Sequence, residues 1–148
     1  MENELLIELL PWERAREHAA PIRFTVFVEE QGVPAELEMD DQDAHCLHAL
    51  AYWTDADAAD GRAVGTGRLL PDGHIGRMAV LKDWRGRGAG RALLRALIDA
   101  ARRRGDREVL LSAQGHALDF YRAEGFKPEG AEYEEAGIAH QAMRMKLG

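Results

Sequence analysis

The stretch Val80-Leu81-Lys82-Asp83-Trp84-Arg85-Gly86-Arg87-Gly88-Ala89-Gly90-Arg91 lies at the joint on which the rest of the chain turns. Ahead of it, His74-Ile75-Gly76-Arg77-Met78-Ala79-Val80 is short and apolar-rich, the pattern of a buried strand. Behind it, Leu93, Leu94, Leu97, Ile98 and Ala101 recur at helical spacing and form one apolar face. The glycines therefore sit where a strand becomes a helix. Lacking side chains, they let the backbone approach a ligand closely, and the first N–H groups of the helix have no partner within it. Those groups, the positive end of the macrodipole and the charges of Arg85, Arg87 and Arg91 suit an anionic, pyrophosphate-bearing cofactor. Two other phosphate loops do not fit. There is no Gly-Lys-Ser/Thr, and the spacing is not Gly-x-Gly-x-x-Gly with an acid about 20 residues on.

At 148 residues the chain is expected to form one domain, residues 1–148, burying about two thirds of its unfolded surface. No run reaches the roughly 18 apolar residues of a membrane span, and the acidic N-terminus lacks a signal-peptide pattern. A cytoplasmic location is expected, since the single Cys46 has no disulfide partner. Charge is uneven. Residues 1–60 hold 15 acids and 3 bases, residues 61–148 hold 11 acids and 16 bases, so a net of −12 faces a net of +5. With an overall charge of −7 and the bases clustered on one helix, neither nucleic acid nor a membrane is expected as a partner. The split fits an anionic ligand on the second half and a cationic one facing the first.

In chain order, Leu5–Leu10 reads as a strand, and Trp12 to Gln31 as helix with a break at Pro21. Ile22, Val26 and Phe27 face the core there, while Arg23, Glu29 and Glu30 need not be buried. Gly32-Val33-Pro34 ends this segment and Glu36–Asp43 is an acidic loop. Cys46–Thr54, Ala63–Leu70 and His74–Val80 form an antiparallel meander, with turns at Asp55–Gly61 and Pro71-Asp72-Gly73. The central helix spans Gly88 to Arg104, closed by three arginines and Gly105. Glu108–Ala113 is a strand expected to run parallel to His74–Val80. Ala117–Glu124 is a short helix, and Phe126–Tyr133 with His140–Lys146 a last hairpin. The order β-α-α-β-β-β-α-β-α-β-β is that of an α/β fold with a mixed sheet.

Arg85-x-x-Gly88-x-Gly90 resembles the acetyl-CoA signature of the GNAT N-acetyltransferases, Arg/Gln-x-x-Gly-x-Gly/Ala. Phe120-Tyr121-Arg122-Ala123-Glu124-Gly125-Phe126 resembles that family's second motif, about 30 residues later, and Gln114 stands where many members carry Asn. Arg23-Phe24-Thr25-Val26-Phe27-Val28-Glu29-Glu30-Gln31, with Glu38-Met39-Asp40 and Gly137-Ile138-Ala139-His140, is similar to the ElaA-type branch, although Ala139 replaces a frequent proline. The resemblance implies the GNAT fold and direct acetyl transfer from the cosubstrate acetyl-CoA to a primary amine on a small molecule or peptide. It implies a diphosphate held by the N–H groups of about Arg87 to Arg91 (Arg87, Gly88, Ala89, Gly90 and Arg91), with Arg85 and Gly86 also in the cofactor site. The pantetheine arm then pairs with Met78, Ala79 and Val80, and Gln114, Phe120 and Tyr121 complete the cofactor site. An N–H near Ala79 would serve the oxyanion.

Tyr121 is the candidate acid, because a phenol with an ordinary pKa near 10 stays protonated at neutral pH and donates to sulfur. Glu30, Asp41 and His140 are candidate bases, histidine being the side chain that titrates nearest neutrality; a water relay is the alternative. Arg23, Glu38 and Asp40 are read as an ion-pair network or a solvated loop on the acceptor side, whose acids favour a cationic amine. His45, Cys46 and His48 are close in sequence, but alternation puts His45 and Cys46 on opposite faces, so no metal site is expected. A homodimer is compatible with the sequence. Two rival readings remain at this stage. The Arg23…Phe27…Glu38-x-Asp40…Asp43 pattern is similar to acyl-homoserine lactone synthases, which are longer and use S-adenosylmethionine; the other rival is a non-catalytic acetyl-CoA-binding module.

Overall fold

The structure is a computed structural model and describes residues 4–55, 58–135 and 137–148. Four strands, β1 (Glu4–Pro11), β2 (Leu47–Asp55), β3 (Ala58–Leu69) and β4 (Ile75–Val80), form an antiparallel sheet in the order β1-β2-β3-β4. The meander is as expected, with β3 beginning five residues early. Of the turn expected over Asp55–Gly61, residues 56 and 57 lie outside the described residues, and Asp55 pairs with Ala58.

β2 alternates as a two-sided strand must. Ala49 and Ala51 face helix α3 (Ala89–Arg104), while Leu50 faces helix α1 (Trp12–Arg23), so the sheet is covered on both sides. Leu93, Leu94 and Leu97 of α3 are fully buried, and each contributes about 1.5–3 kcal/mol of apolar burial. Close approach of α3 to β3 needs two glycines there. A Cβ on Gly65 would lie 2.9 Å from Leu93 Cδ1 and 3.1 Å from the Ala79 carbonyl, and one on Gly67 would lie 3.0 Å from Leu97 Cδ1.

The expected break at Pro21 does not occur. Pro21 lies on the exposed face of α1, and the helix runs through it, losing one N–H but keeping its course. From Phe24 to Glu30 the coil widens to a π-helix; at its end Gln31 N donates to Val26 O at 3.2 Å and Val33 N to Phe27 O at 2.9 Å. The acidic segment holds a one-turn helix, α2 (Ala35–Glu38), and a 3-10 turn at Asp43–His45. Arg23 was expected to need no burial, yet is 1 % exposed, because carboxylates from that segment fold over it.

After α3 come β5 (Glu108–Gln114), α4 (Leu118–Ala123) and the hairpin β6 (Lys127–Glu135) and β7 (Ile138–Lys146). They form a second sheet, ordered β5-β7-β6. β5 follows β4 through a helical crossover and is parallel to it as expected, but the two meet at one bridge only. There Leu110 N donates to Gly73 O at 3.1 Å beside His74. Beyond that point the sheet splays, and no ladder joins β4 to β5 among the described residues.

Candidate active site

A bulge sharpens the splay. Thr66 pairs with Ala79 and Arg68 with Gly76, so Gly67 alone faces Arg77 and Met78, and Arg77 takes φ +50°, an unusual left-handed conformation for a side-chain-bearing residue. The opening between β4 and β5 is a cleft of about 950 Å³. Met78, Ala79 and Val80 line it from one side and Gln114, Phe120 and Tyr121 from the other. The family resemblance implied the pantetheine arm at the first three and the remainder of the cofactor site at the other three.

Just past the cleft, Gly86 and Gly88 adopt φ +78° and +90°, where a side chain is strained. Gly88 is the N-cap of α3 and no side chain caps the helix; its first internal bond is Ala92 N to Gly88 O, 3.0 Å. The amides of Ala89, Gly90 and Arg91 are thus left for an anion. The nearby arginines are committed elsewhere. Arg85 Nε donates to Val80 O at 2.8 Å and its guanidinium grips both oxygens of Glu30 at 3.0 and 2.9 Å. Arg91 pairs with Glu124 at 2.9 Å. Arg87 lies over the rings of Trp84 and Trp53, 4.8 and 5.4 Å from their centroids, and pairs with no carboxylate among the described residues.

Of the four candidate catalytic groups, the cleft brings two together. Tyr121 is buried on α4, edge-on to Phe120 and Phe126. Burial pushes its phenol up to about 12. His140 enters from β7. Its Nδ1 lies 2.8 Å from the Ile138 carbonyl, which can only accept, so Nδ1 carries the proton and Nε2 holds the lone pair of the neutral ring. Glu30 does not line the cleft and is held by Arg85. Asp41 is exposed outside it and accepts from Gln42 Nε2 at 3.2 Å.

The ion-pair network read between Arg23, Glu38 and Asp40 exists and is larger. Arg23 binds Glu38 and, at 2.8 Å, Asp43; Arg68 binds Asp43 and Asp40, each at 2.8 Å; Arg77 reaches Asp40 at 3.3 Å. The Arg68 hydrogen bond holds the Asp40 carboxyl down at about 2. Burial opposes ionisation of Asp43, but bonds from Arg23 and Arg68 prevail and its pKa is lowered. His48 Nε2 sits 2.9 Å from the Asp43 carbonyl, and Cys46 Sγ donates to Gln42 O at 3.2 Å, so both are tied into the scaffold.

Sequence reading gave no site role to several residues that line the cleft, among them Gln31, Arg68 and Arg77. Gln31, at the π-helix end, accepts from Gln114 Nε2 at 3.0 Å and bridges the opening. Arg68 and Arg77 also line it. An arginine inside an otherwise apolar strand was the available signal for Arg68; nothing local marked Gln31.

Residues 16–147 match the acetyltransferase (GNAT) domain family. The chain belongs to the GNAT family. A Bacillus subtilis protein named uncharacterized N-acetyltransferase YjcF is 37% identical over 127 residues, 82% of this chain and 86% of its own. Protein ElaA of Escherichia coli is 33% identical over 128 residues, 85% of this chain and 84% of ElaA. The ElaA crystal structure superposes with a TM-score of 0.80 at 27% identity over 96% of this chain and 99% of that one. An acyl-CoA N-acyltransferase from Pseudomonas aeruginosa gives 0.80 at 29% identity, over 96% and 99%. This GNAT acetyltransferase is thus of the ElaA-type branch, as its motifs implied. None of its described helices is long and apolar enough to cross a membrane.

Proposed function

We propose that this GNAT enzyme transfers acetyl from acetyl-CoA to a primary amine, in one direct step, with the cleft as its site. The observation that carries this is the open edge of β4 beside the uncapped start of α3. An extended amide-bearing arm fits the one by strand addition, and a diphosphate fits the other. Acetyl-CoA supplies an activated acyl carbon on a thiolate leaving group. His140 Nε2 takes the proton from the attacking amine as the C–N bond forms. The backbone N–H near Ala79 faces the oxygen on which charge gathers. Tyr121 gives its proton to the departing sulfur as the C–S bond breaks. Between the candidate bases, His140 is favoured because its lone pair is free and it lines the cleft, whereas Glu30 is clamped by Arg85 and Asp41 lies outside. Gln31 extends the proposed cofactor contacts.

Isothermal titration with acetyl-CoA, followed by thiol release across a panel of amines, tests the reading. Saturable binding and amine-dependent release are expected. Tyr121→Phe and His140→Ala should each lower kcat by roughly 10²–10⁴ with little change in acetyl-CoA affinity. Absence of acetyl-CoA binding would sink the proposal.

A further inference from the structure

Resting on the reading of His140 as the base, we infer that Tyr133, anchored by Ser112, is its positioning residue. One row of side chains crosses the second sheet. Gln114 of β5 stands opposite His140 of β7, and His140 stands opposite Tyr133 of β6. Residues directly opposite share a face, so all three lie on one side of the sheet. Ser112, Gln114 and His140 line the cleft from that side. Tyr133 does not line it, so it acts on the chemistry only through its neighbours.

The Tyr133 ring lies against that of His140 as an offset stack, centroids 5.8 Å apart and planes 22° from parallel. Its hydroxyl reaches across β7 and shares a hydrogen bond with Ser112 Oγ on β5. The β7 residue opposite Ser112 is Ala142, on the same face as His140, and its single methyl leaves the phenol room to pass. Burial does not account for Tyr133, which is 42 % exposed on the edge strand of its sheet. The stack does. The bond from His140 Nδ1 to the Ile138 carbonyl, 2.8 Å, fixes one edge of the imidazole. The torsion that turns such a ring is broad, so one hydrogen bond defines its plane loosely. Tyr133 supplies the second restraint, and Nε2 then keeps one direction in the cleft.

Two measurements on the intact protein test the inference. The first is a two-bond ¹⁵N–¹H spectrum at about pH 8, where histidine is neutral, with His140 assigned by its loss in His140→Gln. It should show a pure Nδ1–H tautomer in the parent protein and a mixture with the Nε2–H form in Tyr133→Ala. The second is thiol release from acetyl-CoA with the fastest of 2-phenylethylamine, spermidine and lysine. Tyr133→Ala should lower kcat about tenfold or more, with acetyl-CoA affinity and melting temperature near those of the parent. Tyr133→Phe, which keeps the stack without the Ser112 bond, should fall between the two. In a His140→Ala background Tyr133→Ala should cost nothing further, because no base is left to position. A pure Nδ1–H tautomer in Tyr133→Ala, or a full further loss of kcat in the double variant, overturns the inference and leaves the acetyl-CoA reading standing. An undiminished kcat in His140→Ala overturns the base assignment and this inference together.

Discussion

With 1 % of its surface in contact with water, Arg23 depends on Glu38 and Asp43 for its charge balance. Arg23→Ala removes a buried partner from both Glu38 and Asp43, leaving Asp43 with Arg68 alone, which should lower stability by roughly 3–5 kcal/mol. A urea melt checks this through the midpoint at constant slope. The same network sets a pH dependence. The Asp40 carboxyl is held at about 2, below its unfolded value, and Asp43 is lowered too. Stability from Asp40 is therefore present above its unfolded value near 4 and lost as pH falls through about 2. Melting temperature should drop over that window, and Asp40→Asn should flatten the drop. At this scale the motif residues were legible in the sequence, because glycine spacing and the aromatic-Tyr pair are local. The pairing of Arg23 with Glu38, 15 residues on, and of Arg68 with Asp40, 28 residues back, was only half legible. Which charges meet is settled by the packing of α1 against β3, and no local pattern states it.

At the scale of the element, the start of α3 is written by two glycines doing different things. Gly88 at φ +90° cannot take a side chain without left-handed strain. Gly88→Ala should cost about 1–2 kcal/mol and displace the amides that await the anion, so acetyl-CoA affinity should fall with stability. Gly90 has ordinary contacts, a Cβ there lying 3.8 Å from the Phe120 ring. Gly90→Ala should leave both nearly unchanged, and titration with thermal melts separates the two. Helix α3 and the meander were legible because their apolar periods are long and unbroken. The π-helical end of α1 was not. Pro21 marks a local penalty that the sequence alone reads as a break, but its exposed position and the burial of Ala15, Ala19 and Ile22 keep the helix together. Residue 67 also escaped, since a glycine in a strand does not announce which helix will press on it.

At the scale of the molecule, one bridge between His74 and Leu110 holds the two sheets at the closed end of the splay. Anything that lies along β4 supplies hydrogen bonds that the fold itself omits. Acetyl-CoA at about 100 times its Kd should add about 2.7 kcal/mol of stability and raise the melting temperature by several degrees, as differential scanning fluorimetry would record. Desulfo-coenzyme A analogues that keep the arm should do nearly as well, while adenosine diphosphate alone should do less.

That seam also bears on how long the polypeptide survives. A strand edge left bare is where a protease threads a chain and where a second molecule can zip on. A ligand arm lying along β4 would cover that edge, so its presence should slow proteolysis and self-association there.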